Sequence, residues 1–146
     1  MKSKLSNARL SEKVAAVLQR VTRMEAALMT DDGIIQCVTC GKREHWTKMQ
    51  GGHFISRRHA ATRCDQTNIH PQCARCNGPE SRRSSIVAIR FTLYMDEIYG
   101  REYVTSMLCT AQRPGYRYNR SALLAMLENS NSRQEHLEKL IDEMRL

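Results

Sequence analysis

The stretch NIHPQCARCN, residues 68–77, decides the fold, because it packs a histidine, two cysteines three positions apart and two asparagines into one short segment. A second pair at the same spacing, Cys37 and Cys40, lies upstream in CVTC and is followed by Gly41. Each C-x2-C bends the backbone so that two sulfurs converge, and four thiolates satisfy the tetrahedral, soft-ligand preference of Zn²⁺. The 32 residues between Cys40 and Cys73 exceed a short zinc ribbon, so the site has to bracket a hairpin and a loop, which suits a treble clef. Four protein ligands leave zinc no open position, so Cys37, Cys40, Cys73 and Cys76 point to a structural ion that holds the fold and performs no chemistry. Two unrelated pairs of buried or redox-active thiols are the plainer alternative. Cys64 and Cys109 are left over.

The rest of the chain sets limits on this centre. At 146 residues there is room for one domain with a small core, and helical arms around a compact centre are expected. No stretch approaches the roughly 18 apolar residues that a membrane span needs, so no membrane partner is expected. The start, MKSKLSNARLSEKVAAVLQR, is basic but lacks a continuous apolar core and a small-residue cleavage site. A cytoplasmic location follows as the expectation, and in a reducing compartment paired cysteines favour metal over disulfides. The net charge of +8 is concentrated: residues 42–90 hold ten Lys or Arg against three Asp or Glu, whereas 91–146 hold seven against eight. That concentration around the cysteines reads as a phosphate-binding footprint, with Arg57, Arg58, Arg63, Arg75, Arg82 and Arg83 as candidate contacts to a DNA backbone.

Apolar residues recur at helical spacing from Ser6 to about Met29 and stop at Asp31-Asp32-Gly33, giving an amphipathic arm over 1–33. A core over 34–100 begins with the short strand Ile34-Ile35-Gln36 and a knuckle in which Gly41 supplies positive φ. Gly51-Gly52 ahead of His53-Phe54-Ile55 suits a hairpin strand approached closely by other backbone, and 57–67 reads as a basic, irregular loop. After Cys76, a helical pattern runs through Ile86, Ile89, Leu93 and Ile98 to Gly100. The helical region 101–146 is expected to hold a helix over Glu102–Leu108, a turn at Pro114-Gly115, a helix over Ser121–Glu128, and a last helix opened by a capping box, Ser132-x-x-Glu135. The predicted class is α+β and mainly helical, built on the zinc-stabilised centre.

His53, Asn68, His70 and Asn77 lie inside or at the edge of the loop that zinc closes. A neutral imidazole takes a proton from water near pH 7, and a divalent ion polarises a phosphate, so one histidine and one metal suffice for phosphodiester hydrolysis. The motifs CVTC, GGHFI, NIHPQCARCN and IYGREYV together resemble the HNH endonucleases of the ββα-metal type, and more closely the phage recombination proteins of the NinG or Rap family. The resemblance spans roughly residues 34–128. It implies that His53 is the general base, that Asn68 pins the loop and orients the histidine, and that Asn77 is a ligand of a catalytic Mg²⁺ or Mn²⁺. A departure is Gly52, which stands where many HNH proteins carry an Asp or His ligand, so His70 or Asp65 become further candidates for that ion. Asp65 could equally cap or turn its loop, and His70 could hydrogen-bond a zinc thiolate.

The resemblance further implies a phage-encoded protein working in a bacterial host cell and branched DNA, such as Holliday junctions or D-loops, as substrate. Two nicks at a junction need two sites, which makes a homodimer attractive. The rival expectations are a noncatalytic zinc module that binds nucleic acid or protein, and a sequence-specific HNH nuclease, for which no groove-reading segment is evident.

Overall fold

The computed structural model describes residues 5–79 and 81–146, with Arg82 described in its backbone only. Helix α1, Asn7–Ala27, starts where the side chain of Ser6 accepts a hydrogen bond from the amide of Arg9, and it buries Leu10, Val14, Leu18, Val21 and Met24 along one stripe. The 3.6-residue periodicity read from the sequence is therefore the packed face. Gly33, at φ +69°, then turns the chain into strand β1, Ile34–Gln36, which pairs antiparallel with β2, Arg43–His45. Between these strands sits the first knuckle, where Gly41 at φ +76° donates its amide to the Cys37 carbonyl.

Strand β3, Gln50–His53, pairs antiparallel with β4, Ile69–Gln72, in the register His53 to Ile69 and Gly52 to His70. Val38 donates its amide to the Pro71 carbonyl and so ties the first knuckle to β4. The segment 57–67, expected to be irregular, instead contains helix α2, Ala60–Arg63, and a 3-10 turn over Gln66–Asn68 capped by Asp65. Backbone groups of this segment find partners in turns and in side chains, Asp65 accepting from the Thr67 amide and the carbonyls of Thr62 and Arg63 accepting from Asn68 and His53. The second knuckle opens the one-turn helix α3, Ala74–Asn77, and leads to α4, Ser85–Tyr99, which stops at Gly100 with φ +82°.

Helix α5 covers Arg101–Ala111, longer at both ends than expected, and α6 runs unbroken from Arg120 to Met144. The capping box at Ser132 is thus a correction: Ser132 lies inside α6, whose first cap is Asn119, accepting from the amide of Ser121. One continuous stripe, Leu123, Ser130, Leu137 and Ile141, is buried, and it packs along α1, so tertiary contact carries the helix through the weak Asn129-Ser130-Asn131-Ser132 stretch. Arg120 reaches the carbonyl of Leu5 at one end of this pairing, and Arg133 meets Glu25 farther along. Three apolar clusters result: α1, the knuckles and the end of α6; α1, β4 and the start of α6; and Ile55 with α4 and α5. Among the described residues the architecture is α+β and mostly helical, with two two-stranded sheets, and no helix is long and apolar enough to cross a membrane.

Candidate metal centre and adjoining cleft

The two knuckles bring the sulfurs of Cys37, Cys40, Cys73 and Cys76 within 4.8 Å of one another. A tetrahedron with metal–sulfur bonds of about 2.3 Å has edges near 3.8 Å, and the Cys40 and Cys73 sulfurs stand 3.7 Å apart. The spacing therefore fits a four-thiolate ion such as zinc, and every one of these cysteines is free of disulfide. Burial works against ionising Cys37, but the Thr39 hydroxyl and the amides of Cys73, Cys40 and Thr39 outweigh it and pull the thiol down to about 6. Burial and the neighbouring thiols push Cys76 up to about 12. Four sulfurs this close cannot all ionise unless a cation neutralises them, which is the chemistry a dication supplies.

From this knot a hydrogen-bonded relay leads outward. The Thr39 hydroxyl contacts the Cys37 sulfur at 3.2 Å and accepts from the Gln72 amide at 3.3 Å. The Gln72 side chain in turn lies over Gly52, where any Cβ would collide with it. Gly52 thus clears space for a side chain from β4, and no metal ligand occurs at that position.

Beyond Gly52 opens a cleft of about 1200 Å³ lined by His53, Asn77, Gln19, Glu12 and the arginines 57, 58, 63 and 83. His53 sits at the end of β3. Its Nε2 lies 3.0 Å from the Arg63 carbonyl and its Nδ1 lies 3.4 Å from the Gln19 amide nitrogen. A carbonyl only accepts, so Nε2 carries the proton and Nδ1 presents its lone pair toward Gln19.

Asn68 is fully buried. Its Oδ1 accepts from the Ile55 amide at 2.7 Å, and its Nδ2 donates to the carbonyls of Ile55 and Thr62, each at 3.0 Å. It thereby pins both sides of the 55–62 excursion, including the residue next to the Arg63 carbonyl that holds His53. Asn77 donates its Nδ2 to Gln50 at 2.8 Å, which turns its oxygen to other partners.

His70 and Asp65 are not among the residues that line the cleft. His70 is 7% exposed, with Nε2 on the Thr67 carbonyl, Nδ1 beside the Tyr94 hydroxyl and its ring edge-on to Phe91 and Tyr94, so it meets no thiolate. Burial lowers its pKa. The Asp65 carboxylate accepts from the amide and hydroxyl of Thr67, the capping role. Of the arginines, Arg57, Arg58 and Arg83 are exposed on the cleft wall, and Arg63 is fastened to Ser11 and to the Arg57 carbonyl. Arg75 is exposed away from the cleft lining, and the Arg82 side chain falls outside the described residues.

Three cleft residues escaped the sequence reading: Gln19, Glu12 and Gln72. Gln19 and Glu12 come from α1, whose apolar stripe says only which face is packed. Gly51 carried a faint signal, since a Cβ there would come within 2.7 Å of the Gln19 Cα. Double glycine announces close approach but does not name the neighbour.

Comparison with curated proteins gives no match, and comparison with solved structures gives none. The family model described as Bacteriophage Lambda NinG protein matches residues 2–140, which takes in both knuckles, the cleft and most of α6. With nearly the whole chain so covered, the protein belongs to the NinG family.

Proposed function

We propose that this member of a phage family with a recombination-related role is a metal-dependent endonuclease acting on branched DNA. The observation that carries the reading is the placement of His53 and Asn77 on the wall of one arginine-rich cleft, beside the four-cysteine knot. The order of knuckle, paired strands, second knuckle and helix supports a treble-clef centre of the ββα-metal kind. Zinc would be held by the four cysteines.

In this reading His53 Nδ1 takes the proton of the attacking water. The Arg63 carbonyl on Nε2 fixes the tautomer and stabilises the imidazolium that forms, and the Gln19 amide can turn its oxygen to the new Nδ1–H. Asn77 and Glu12, both on the cleft wall, offer hard oxygen atoms to which Mg²⁺ or Mn²⁺ would bind in this reading. When bound, the ion supplies Lewis-acid polarisation of the phosphate and charge stabilisation of the leaving oxygen. Arg57, Arg58 and Arg83 neutralise flanking phosphates, contacts that position a backbone without reading sequence and so favour recognition by shape. The setting is the cytoplasm of a bacterial host, and two nicks at a junction call for two copies.

The space over Gly52, filled by Gln72, favours a second reading: a noncatalytic zinc module that binds DNA. Zinc-loaded wild type and His53→Ala, incubated with labelled four-way junction and matched linear duplex with and without Mg²⁺ or Mn²⁺, separate the two. Metal-dependent cutting of the junction, lost in His53→Ala, supports the nuclease. Tight binding with no cut under any metal supports the module.

A further inference from the structure

Arg23 carries a positive charge that the described fold does not balance. It is half-buried on α1, where its Nε donates to the Gln19 carbonyl at 3.2 Å and its Nη1 to the Met49 carbonyl at 2.8 Å. A guanidinium is a fork of N–H donors, and the rest of this fork meets no partner among the described residues, no carboxylate included. Glu25, round the other side of α1, is engaged by Gln66 and Arg133, and Glu138 is taken by Arg20. Burial and the neighbouring Arg20 lower the pKa of Arg23, the direction expected of a cation short of counter-charge.

Arg23 lines a second, smaller pocket of about 520 Å³, walled by one face of α1, the start of β3 and the end of α3. No Asp or Glu occurs among its described lining residues, and Arg57 adds a second cation. Gln50, also in the wall, accepts from Asn77 through its Oε1, which leaves its Nε2 to donate. We propose that this pocket holds a backbone phosphate of the strand lying in the cleft, with Arg23 and Gln50 as its donors. A guanidinium fork and a primary amide present the N–H groups that phosphate oxygens accept. Gln19, Gly51, Arg57 and Asn77 belong to the walls of both the pocket and the cleft. A strand that presents one phosphate to His53 and Asn77 therefore carries a neighbouring phosphate to Arg23. The two carbonyls fix the guanidinium before any strand arrives, so the contact costs less side-chain entropy than one made by the exposed Arg57, Arg58 or Arg83. The proposal deepens the nuclease reading by adding a phosphate position to the same site, and it rests on that reading for the strand that the cleft holds.

The test is binding of the zinc-loaded full chain to a labelled four-way junction, by fluorescence anisotropy over a salt series without Mg²⁺ or Mn²⁺. Zinc content and melting temperature serve as controls for folding. Arg23→Gln is expected to bind about tenfold more weakly and to lower the salt slope of log K by about one, the signature of one lost phosphate contact. Arg23→Lys keeps the charge and is expected to keep the slope. Ala16, exposed in the same wall, allows a test that leaves Arg23 and its two carbonyls untouched: Ala16→Glu puts a carboxylate in the pocket and is expected to bind about tenfold more weakly than Ala16→Gln. Junctions carrying a single neutral methylphosphonate, scanned through the positions around the branch, locate the contact. At one position the substitution should weaken wild type and leave Arg23→Gln unchanged. An unaltered slope in Arg23→Gln, equal binding by Ala16→Glu and Ala16→Gln, or methylphosphonate penalties alike in wild type and Arg23→Gln at every position overturns the proposal and leaves Arg23 as a tie between α1 and Met49. None of these readouts uses cleavage: a located phosphate contact in a protein that never cuts DNA sinks the nuclease reading alone, and junction cutting with an unaltered slope sinks this one alone.

Discussion

The four-cysteine knot and the cleft beside it are built on opposite plans. The knot takes its ligands from two tight turns, each specified by four consecutive residues, and its parts converge because the turns leave the sulfurs little choice. The cleft takes Gln19 and Glu12 from α1, His53 from β3, Asn77 from α3 and arginines from the 57–63 segment, so no local segment contains it. Structure that is dictated locally tolerates change at a distance. Structure assembled from remote elements depends on each support that holds them in register.

Removing the metal tests this contrast most severely. Structural zinc contributes an apparent 10–16 kcal/mol or so in small domains, more than a chain of this size holds in reserve. Chelation, or Cys73→Ser, is therefore expected to abolish the cooperative thermal transition and with it the helical circular dichroism of α1 and α6, both packed on the knuckles. Survival of a sharp transition after complete zinc removal would show that the knot is dispensable.

Asn68, which pins the 55–62 segment of the cleft, comes next. Asn68→Ala strands the buried Ile55 amide and loosens the carbonyls of Ile55 and Thr62, at a cost of about 2–4 kcal/mol by the usual penalty for unmade buried hydrogen bonds. Urea denaturation measures it. Zinc content should stay stoichiometric, because the knuckles do not use Asn68; loss of zinc in this variant would mean that the knot depends on the cleft after all.

Gln19 touches the site and little else near the knot. Gln19→Ala is expected to lower junction cleavage about tenfold, the equivalent of about 1.4 kcal/mol, while the melting temperature moves by only a few degrees. The ¹⁵N shifts of His53 should keep the Nε2–H form that the Arg63 carbonyl fixes in both proteins, with the Nδ1 resonance moving in the variant as its amide donor is lost. Unchanged shifts with unchanged cleavage would remove Gln19 from the site.

The smallest expected effect is the pH response of His70. Burial lowers its pKa in the folded protein, so as pH falls the unfolded chain, at about 6.5, takes up a proton first. The contribution of neutral His70 is complete above that value and declines as pH drops through it, until the folded histidine also protonates. His70→Gln lacks this loss, so the stability gap between wild type and variant should narrow between pH 7.5 and 5.5 by an amount on the order of 1 kcal/mol. A gap that stays constant would place His70 in contact with water.

Much of the frame was legible before any coordinates. The start of α1 at Ser6, the turn at Gly33, the positive φ at Gly41 and the end of α4 at Gly100 are local events, and each occurs where its residue type predicts. The reading went astray where distant packing overrides local signals. Ser132-x-x-Glu135 has the form of a cap, yet α1 lies along that stretch and continuous burial outweighs the cap. Ile86, Ile89 and Leu93 have the spacing of a core stripe, yet Phe91 and Met95 occupy the core, because periodicity counts apolar faces without saying which neighbour each one meets.

By itself, then, the order of residues determined the two cysteine knuckles, the mainly helical character and the location of positive charge, since turn chemistry, periodicity and charge act over a few residues. Only the tertiary structure decided that Gln19 reaches His53, that Gln72 occupies the space over Gly52, that His70 and Asp65 stay out of the cleft and that one apolar face of α4 is left to solvent. Those outcomes depend on which elements lie side by side, and side chains far apart in sequence meet only after the core has chosen its packing.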